Sequence, residues 1–178
     1  MSATEDGIRP MVVADLEAVQ RVARSAGERF RAVDDERIAR CADDPPIGRD
    51  TLVEAIVAGW AWVVLADGEV AGFLVAEELG DAAHVEEVAV GGQLGGRGLG
   101  TALLQAVAGR AQALGKAAVT LTTFRDVPFN RPFYERRGFQ VLRDDQLTAD
   151  LVARRAAEEA AGLPADLRVV MRRSLRDP

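Results

Sequence analysis

Cysteine is nearly missing from this chain: Cys41 stands alone among 178 residues. One cysteine excludes an intramolecular disulfide and any zinc site built on thiolates. It is read as a packing or helix-surface residue and fits a reducing compartment. Long apolar runs are missing too, so no stretch approaches the length of a membrane span. The opening residues, MSATEDGIRP, lack the basic-then-apolar order of a signal peptide, and the sequence predicts a soluble, cytoplasmic protein. Positive charge is in deficit, with 22 Lys and Arg against 28 Asp and Glu and a net charge of -6. Nonspecific binding to nucleic acid or to an anionic membrane requires phosphate neutralisation, so neither is expected as a partner. Histidine and tyrosine occur once each, as His84 and Tyr134.

What is present is core. Apolar residues make up 48% of the chain, enough for one domain, expected to span residues 1–178, and not for two large ones. A first strand is read at Gly7 to Val13, where Pro10 confines it to an edge. Asp15 is placed as N-cap of a helix with Leu16, Val19, Val22 and Ala23 as its apolar stripe. The charged stretch from Arg29 to Ile47 is ambiguous between helix and loop. Asp50 is placed as cap of a helix over Thr51 to Val57. Strands are read at Ala61 to Leu65 and Val70 to Ala76, joined by the hairpin signal Asp67-Gly68. Another follows at Ala83 to Val90, then a helix from Gly98 to Leu114 and a strand at Ala118 to Phe124. Pro132 opens a short helix through Arg137, Phe139 to Val141 starts a strand, and Thr148 caps a helix containing Leu151, Val152 and Ala156. A closing strand is read at Arg168 to Arg172, with outward arginines alternating with Val169 and Met171. The pattern is an interleaved α/β domain.

The run VEEVAVGGQLGGRGLGTALLQAVAGRA, Val85 to Ala111, is the most informative. Val85, Val88 and Val90 give a strand edge, and Leu99, Leu103, Leu104 and Val107 recur at helical spacing. Between them, glycines at 95, 96, 98 and 100 allow a tight turn that leaves backbone N–H groups uncovered at a helix N-terminus. Such an end suits a phosphate or pyrophosphate, and Arg97 can add a charged contact. The other reading is a flexible glycine connection.

Together, VAVGGQLGGRGLG, the helix after it and NRPFYERRGF from Asn130 to Phe139 resemble the GNAT superfamily of N-acetyltransferases. FRDVPFNRPFYERRGF is similar to a bacterial subgroup of acetyltransferases. The resemblance runs in element order from about residue 7 to 173. It implies a single-domain fold with a mixed, mostly antiparallel central sheet flanked by helices, acetyl-CoA as cosubstrate and no metal. It also implies that Val88, Ala89 and Val90 place backbone groups against the pantetheine arm. Leu94, Gly95, Gly96, Arg97, Gly98, Leu99, Gly100 and Thr101 would wrap the pyrophosphate, and Asn130 would contact CoA. Two positions depart from the family pattern: Gly95 replaces its basic or amide residue, and Gly92 replaces its proline.

Members of this family transfer acetyl by direct attack of an amine, so Cys41 is not needed as a nucleophile. Tyr134 matches the family tyrosine facing the thioester sulfur. A phenol, ordinarily near pKa 10, holds its proton at neutral pH and can serve as general acid. Its other reading is core packing beside Phe133 and Phe139. Strand alternation puts His84, Glu86, Val88 and Val90 on one face and Glu87 on the other. Family members carry acids or histidines at the positions of His84 and Glu86. Glu86 is therefore the first candidate base and His84 the second, while His84 as a strand-edge residue and Glu87 as a surface salt bridge are the plain readings; a register slip would reverse the glutamates. Trp60, Trp62, Phe124, Pro128 and Phe129 are candidate walls of an acceptor cleft, and Asp126 or Glu28 could attract an ammonium. The expected reaction is acetylation of a small-molecule primary amine. A protein or peptide acceptor and a non-catalytic acyl-CoA-binding module are the alternatives. The resemblance also allows a homodimer, for which the helix near Leu151 is available.

Overall fold

The computed structural model describes residues 7–176; Met1 to Asp6, part of the N-terminal segment read above, and the last two residues lie outside them. Among the described residues, six α-helices and seven strands follow in order: β1 (Gly7–Pro10), α1 (Leu16–Gly27), α2 (Glu36–Ala39), α3 (Arg49–Ala58), β2 (Ala61–Ala66), β3 (Glu69–Leu79), β4 (Ala82–Val90), α4 (Leu99–Ala113), β5 (Ala118–Phe124), α5 (Arg131–Glu135), β6 (Gln140–Val141), α6 (Ala149–Ala160) and β7 (Arg168–Ser174). The hydrogen-bonded strand order is β1-β2-β3-β4-β5-β7-β6. β4 and β5 are parallel, whereas β1-β2, β2-β3, β5-β7 and β6-β7 are antiparallel. The chain therefore has the mixed, mostly antiparallel sheet with helices expected of it. The described residues cluster into two compact units, one running from Gly7 to Glu77 with Glu86 to Val107 and one with Glu78 to Val85 and Ala108 to Arg176.

In the first unit the apolar stripe of α1 becomes core. Leu16, Val19, Val22, Ala23 and Ala26 are buried in one cluster with Leu52 and Ala55 of α3, Ala61 and Val63 of β2, Phe73 and Val75 of β3, and Ala89 of β4. Burying each large aliphatic or aromatic side chain contributes roughly 1.5–3 kcal/mol. The Asp67-Gly68 hairpin forms as read, with φ of 52° and 79°, the left-handed pair that matches strand twist. Gly72 is there for close approach: a Cβ on it would lie 2.8 Å from the Ala89 carbonyl oxygen and 3.1 Å from a Val90 methyl. A side chain at this point of β3 would push β4 away.

Three expectations change in this unit. β1 ends at Pro10 instead of Val13, because residues 13–15 form a 3-10 turn. Asp15 stands at the N-cap position of α1 as read, but its side chain makes no cap hydrogen bond to the helix. Its carboxylate accepts from the Val12 N–H at 2.9 Å and from both Arg9 Nη atoms at 2.7 and 2.8 Å, closing the turn before the helix. The Arg9 hydrogen bonds hold the Asp15 carboxyl below its usual range. Asp50 lies inside the first turn of α3, where its charge favours the helix dipole, and Gly48 takes the cap position.

In the second unit the start of β4 pairs with β5 from Ala82↔Ala118 to Val85↔Leu121. β5 pairs with β7 along its whole length. β7 does not alternate as expected: Val170 and Met171 are both buried. Consecutive side chains of a strand point to opposite faces, so burial of both means that both faces are covered here. Thr148 caps α6 as read, its Oγ1 accepting from the Leu151 N–H at 3.4 Å.

Candidate functional site

The first unit holds the glycine loop. Gly91 N–H donates to the Ala71 carbonyl at 2.9 Å, Leu94 N–H to the Gly91 carbonyl at 2.8 Å, and Ala102 N–H to the Gly98 carbonyl at 3.0 Å. Between these anchors the N–H groups of Gly95, Gly96, Arg97, Gly98, Leu99 and Gly100 donate to no acceptor among the described residues. Gly96 and Gly98 both have φ of 81°, a conformation that side chains resist. The backbone thus brings consecutive donors together at the N-terminal end of the 15-residue α4, an arrangement suited to a pyrophosphate. Leu94, Leu99, Gly100 and Thr101 are half-buried, and Gly95 to Gly98 are exposed.

The end of β4 leads into this loop. Ala89 is buried in the α1 cluster, so only its backbone is available to a ligand. Val88 and Val90 are half-buried, and the Val90 carbonyl accepts from Arg29 Nη2 at 3.3 Å. Glu86 and Glu87 are both half-buried. Burial, reinforced by the neighbouring Glu86 charge, pushes the Glu87 carboxyl up to about 7. Glu87 does not form the surface salt bridge read for it: no ion pair of its side chain is found among the described residues. In the same unit an open surface depression of about 340 Å³ is lined by Arg31, Glu36, Ala39, Arg40 and Asp43.

The second unit holds the other candidates. Tyr134 is half-buried on α5, its ring edge-on to Phe133 at 5.1 Å and to Phe139 at 5.8 Å. α5 starts where Asn130 turns the chain: the Asn130 carbonyl accepts from Phe133 and Tyr134 N–H at 2.8 and 3.3 Å. The Asn130 Nδ2 donates to Thr123 Oγ1 at 2.8 Å, tying the turn to β5. Arg137 stacks over the Phe133 ring at 3.6 Å and donates to its carbonyl at 2.6 Å.

His84 is a correction. It is 1% exposed, with Nδ1 2.9 Å from Thr120 Oγ1. Burial first, then the charges of Arg154 and Arg168, lower its pKa from 6.5 to about 3. A buried imidazole that weakly basic is poorly suited to accept a proton at neutral pH, and the exposed strand-edge reading does not hold. The aromatic walls also change. Trp60, Trp62 and Phe124 are buried core side chains, while Phe129 is half-buried and Pro128 exposed. Glu28 and Asp126 are engaged by Arg31 and Arg125, at 2.8 and 3.0 Å. Sequence reading missed the Glu87 environment, because alternation assigns a face and not a depth of burial.

The described residues contain no cluster of metal-ligating side chains and no helix long and apolar enough to cross a membrane. Among solved structures, the chain is similar to the PaiA N-acetyltransferase from Thermoplasma acidophilum in complex with coenzyme A, at 17% identity over 96% of this chain and 99% of that one, with a TM-score of 0.70. It is similar to N-acetylglutamate synthase from Neisseria gonorrhoeae complexed with coenzyme A and N-acetyl-glutamate at 18% identity, covering 99% of this chain and 36% of that one, TM-score 0.71. It is also similar to the ribosomal-protein-S18-alanine N-acetyltransferase of Escherichia coli, at 18% identity over 98% and 96% of the two chains, TM-score 0.64. These likenesses give the fold. The acetyltransferase (GNAT) family model matches residues 28–139, a span holding the glycine loop, β4 and Tyr134, and the chain belongs to that family of acetyltransferases.

Proposed function

We propose that this chain transfers the acetyl group of acetyl-CoA to the primary amine of a small molecule. The observation that carries the reading is the run of uncovered N–H groups from Gly95 to Gly100, which offers the CoA pyrophosphate several backbone donors without a metal. The amine nitrogen attacks the thioester carbonyl carbon; a C–N bond forms, the C–S bond breaks, and the nitrogen loses a proton. Tyr134 supplies a proton to the departing sulfur. Glu87 takes the amine proton, since its pKa of about 7 balances basicity against being ionised at neutral pH. This choice replaces Glu86, the candidate that alternation favoured.

A library of primary amines and N-terminal peptides, followed by free-thiol release and mass detection of product, tests the reading. Turnover of small amines is the expected result. Acetylation of peptides alone would replace it with a protein acceptor, and saturable CoA binding with no acceptor at all would replace it with a regulatory module.

The base has its own signature. With amine saturating, kcat is expected to rise about tenfold per pH unit below about 7 and level above, because only ionised Glu87 accepts a proton. Glu87→Gln should remove that limb, and Glu86→Gln should keep it. The reverse pattern in the two variants would return the role to Glu86.

A further inference from the structure

Where the family pattern has a proline, this chain has Gly92, and the structure shows what the exchange permits. The Gly92 N–H, which proline lacks, donates to Ser25 Oγ at 3.2 Å. A Cβ at position 92 would stand 3.3 Å from the Ser25 carbonyl oxygen, so any side chain there would require its surroundings to give by a few tenths of an ångström. One turn further along, Arg29 donates from Nε to the Ala26 carbonyl at 3.2 Å and from Nη2 to the Val90 carbonyl at 3.3 Å. A side chain near the end of α1 and one just beyond it thus hold the backbone on both sides of Gly91, at the point where β4 becomes the glycine loop.

We propose that Ser25 and Arg29 are positioning residues for the acetyl-CoA loop, fixing its entry in place of the missing proline. A proline stiffens a loop by locking its own φ. Here the stiffness comes from side chains of another element. A loop rich in glycine loses much backbone freedom when it closes on a ligand; holding its first residues in advance reduces that loss and raises affinity without a new ligand contact. The proposal rests on the reading that Gly95 to Thr101 bind the CoA pyrophosphate.

Calorimetric titration of the full chain with CoA, together with steady-state kinetics, tests both layers. Ser25→Ala is expected to weaken CoA binding about 3- to 5-fold, and Ser25→Ala combined with Arg29→Leu about tenfold, with the loss appearing in binding entropy. KM for acetyl-CoA should rise by matching factors, while kcat and the acceptor KM stay within twofold. Ser25→Thr, which keeps the hydroxyl, should restore wild-type binding. Gly98→Val serves as the loop control. If it abolishes CoA binding while the Ser25 and Arg29 variants bind within twofold of wild type, the positioning role is overturned and the loop reading stands. If folded Gly98→Val also binds CoA normally, both fall. Should Ser25→Thr bind as weakly as Ser25→Ala, the hydroxyl is not the positioning group and the proposal fails there.

Discussion

Replacing Tyr134 with phenylalanine is expected to lower kcat about 100-fold while leaving CoA affinity unchanged. The substitution removes one oxygen and keeps the ring, whose edge-on contacts with Phe133 and Phe139 hold α5 in place, so the fold should survive it. General acid catalysis contributes roughly 10²- to 10⁴-fold. The low end applies because a thiolate, with a parent thiol ordinarily near pKa 8.5, leaves more readily than an alkoxide or amide and gains less from protonation. Single-turnover measurement of thiol release separates the chemical step from product release. An unchanged chemical rate in a folded, CoA-binding Tyr134→Phe protein would remove Tyr134 from the reaction and leave it as a packing residue of α5.

The parts of this protein that could be read in advance are those whose structure is local. α1 forms because Leu16, Val19, Val22 and Ala23 recur at helical spacing, and the β2-β3 hairpin forms because Asp67 and Gly68 tolerate the backbone that a two-residue turn demands. The glycine loop was legible for the same reason. By contrast, residues 28–47 could not be assigned from periodicity. Their short helical turns include only one buried side chain, Ile38, and are laced by ion pairs such as Arg31 with both Glu28 and Asp43. Charges that meet across twelve residues leave no period in the sequence.

The site was legible in outline and not in its electrostatics. Alternation put the adjacent glutamates 86 and 87 on opposite faces, but the burial that pushes the Glu87 carboxyl up to about 7 could not be read from it. Burial depends on what covers a strand, which is decided by the fold. His84 shows the same limit more sharply. In sequence it is a lone histidine at a position where relatives place catalytic groups; in the folded chain it is a buried neutral side chain against Thr120. Gly92 is the converse case. Its departure from the family pattern was visible at once, and its partner Ser25, sixty-seven positions away, was not.

Acid should expose His84 directly. Its pKa is about 3 folded against 6.5 ordinarily, so between those values the unfolded chain binds a proton that the folded chain refuses. Stability from this group is therefore complete above about pH 6.5 and is lost as pH falls, at roughly 1.4 kcal/mol per pH unit. Glu87 acts in the opposite direction. With a folded pKa of about 7 against 4.5 ordinarily, the folded chain binds more protons between those values and gains stability as pH falls. The two effects nearly offset one another from pH 6.5 to 4.5, and only below 4.5 does the His84 contribution act unopposed. Wild-type stability alone would hide the histidine, and Asp15 and Asp81, whose arginine partners lower their pKa values, add their own losses in acid. The difference between wild type and His84→Asn removes every shared contribution. Asparagine keeps an amide group able to hydrogen-bond Thr120 and cannot take up a proton in this range. Urea unfolding of the two proteins from pH 7 to 4 should show the stability difference shifting in favour of the variant by about 1.4 kcal/mol per pH unit below pH 6, reaching about 3 kcal/mol by pH 4. His84→Gln should give the same slope even if packing changes its offset at pH 7. Parallel stability curves for wild type and both variants would mean that His84 titrates normally in the folded chain, and the buried neutral imidazole would have to be abandoned.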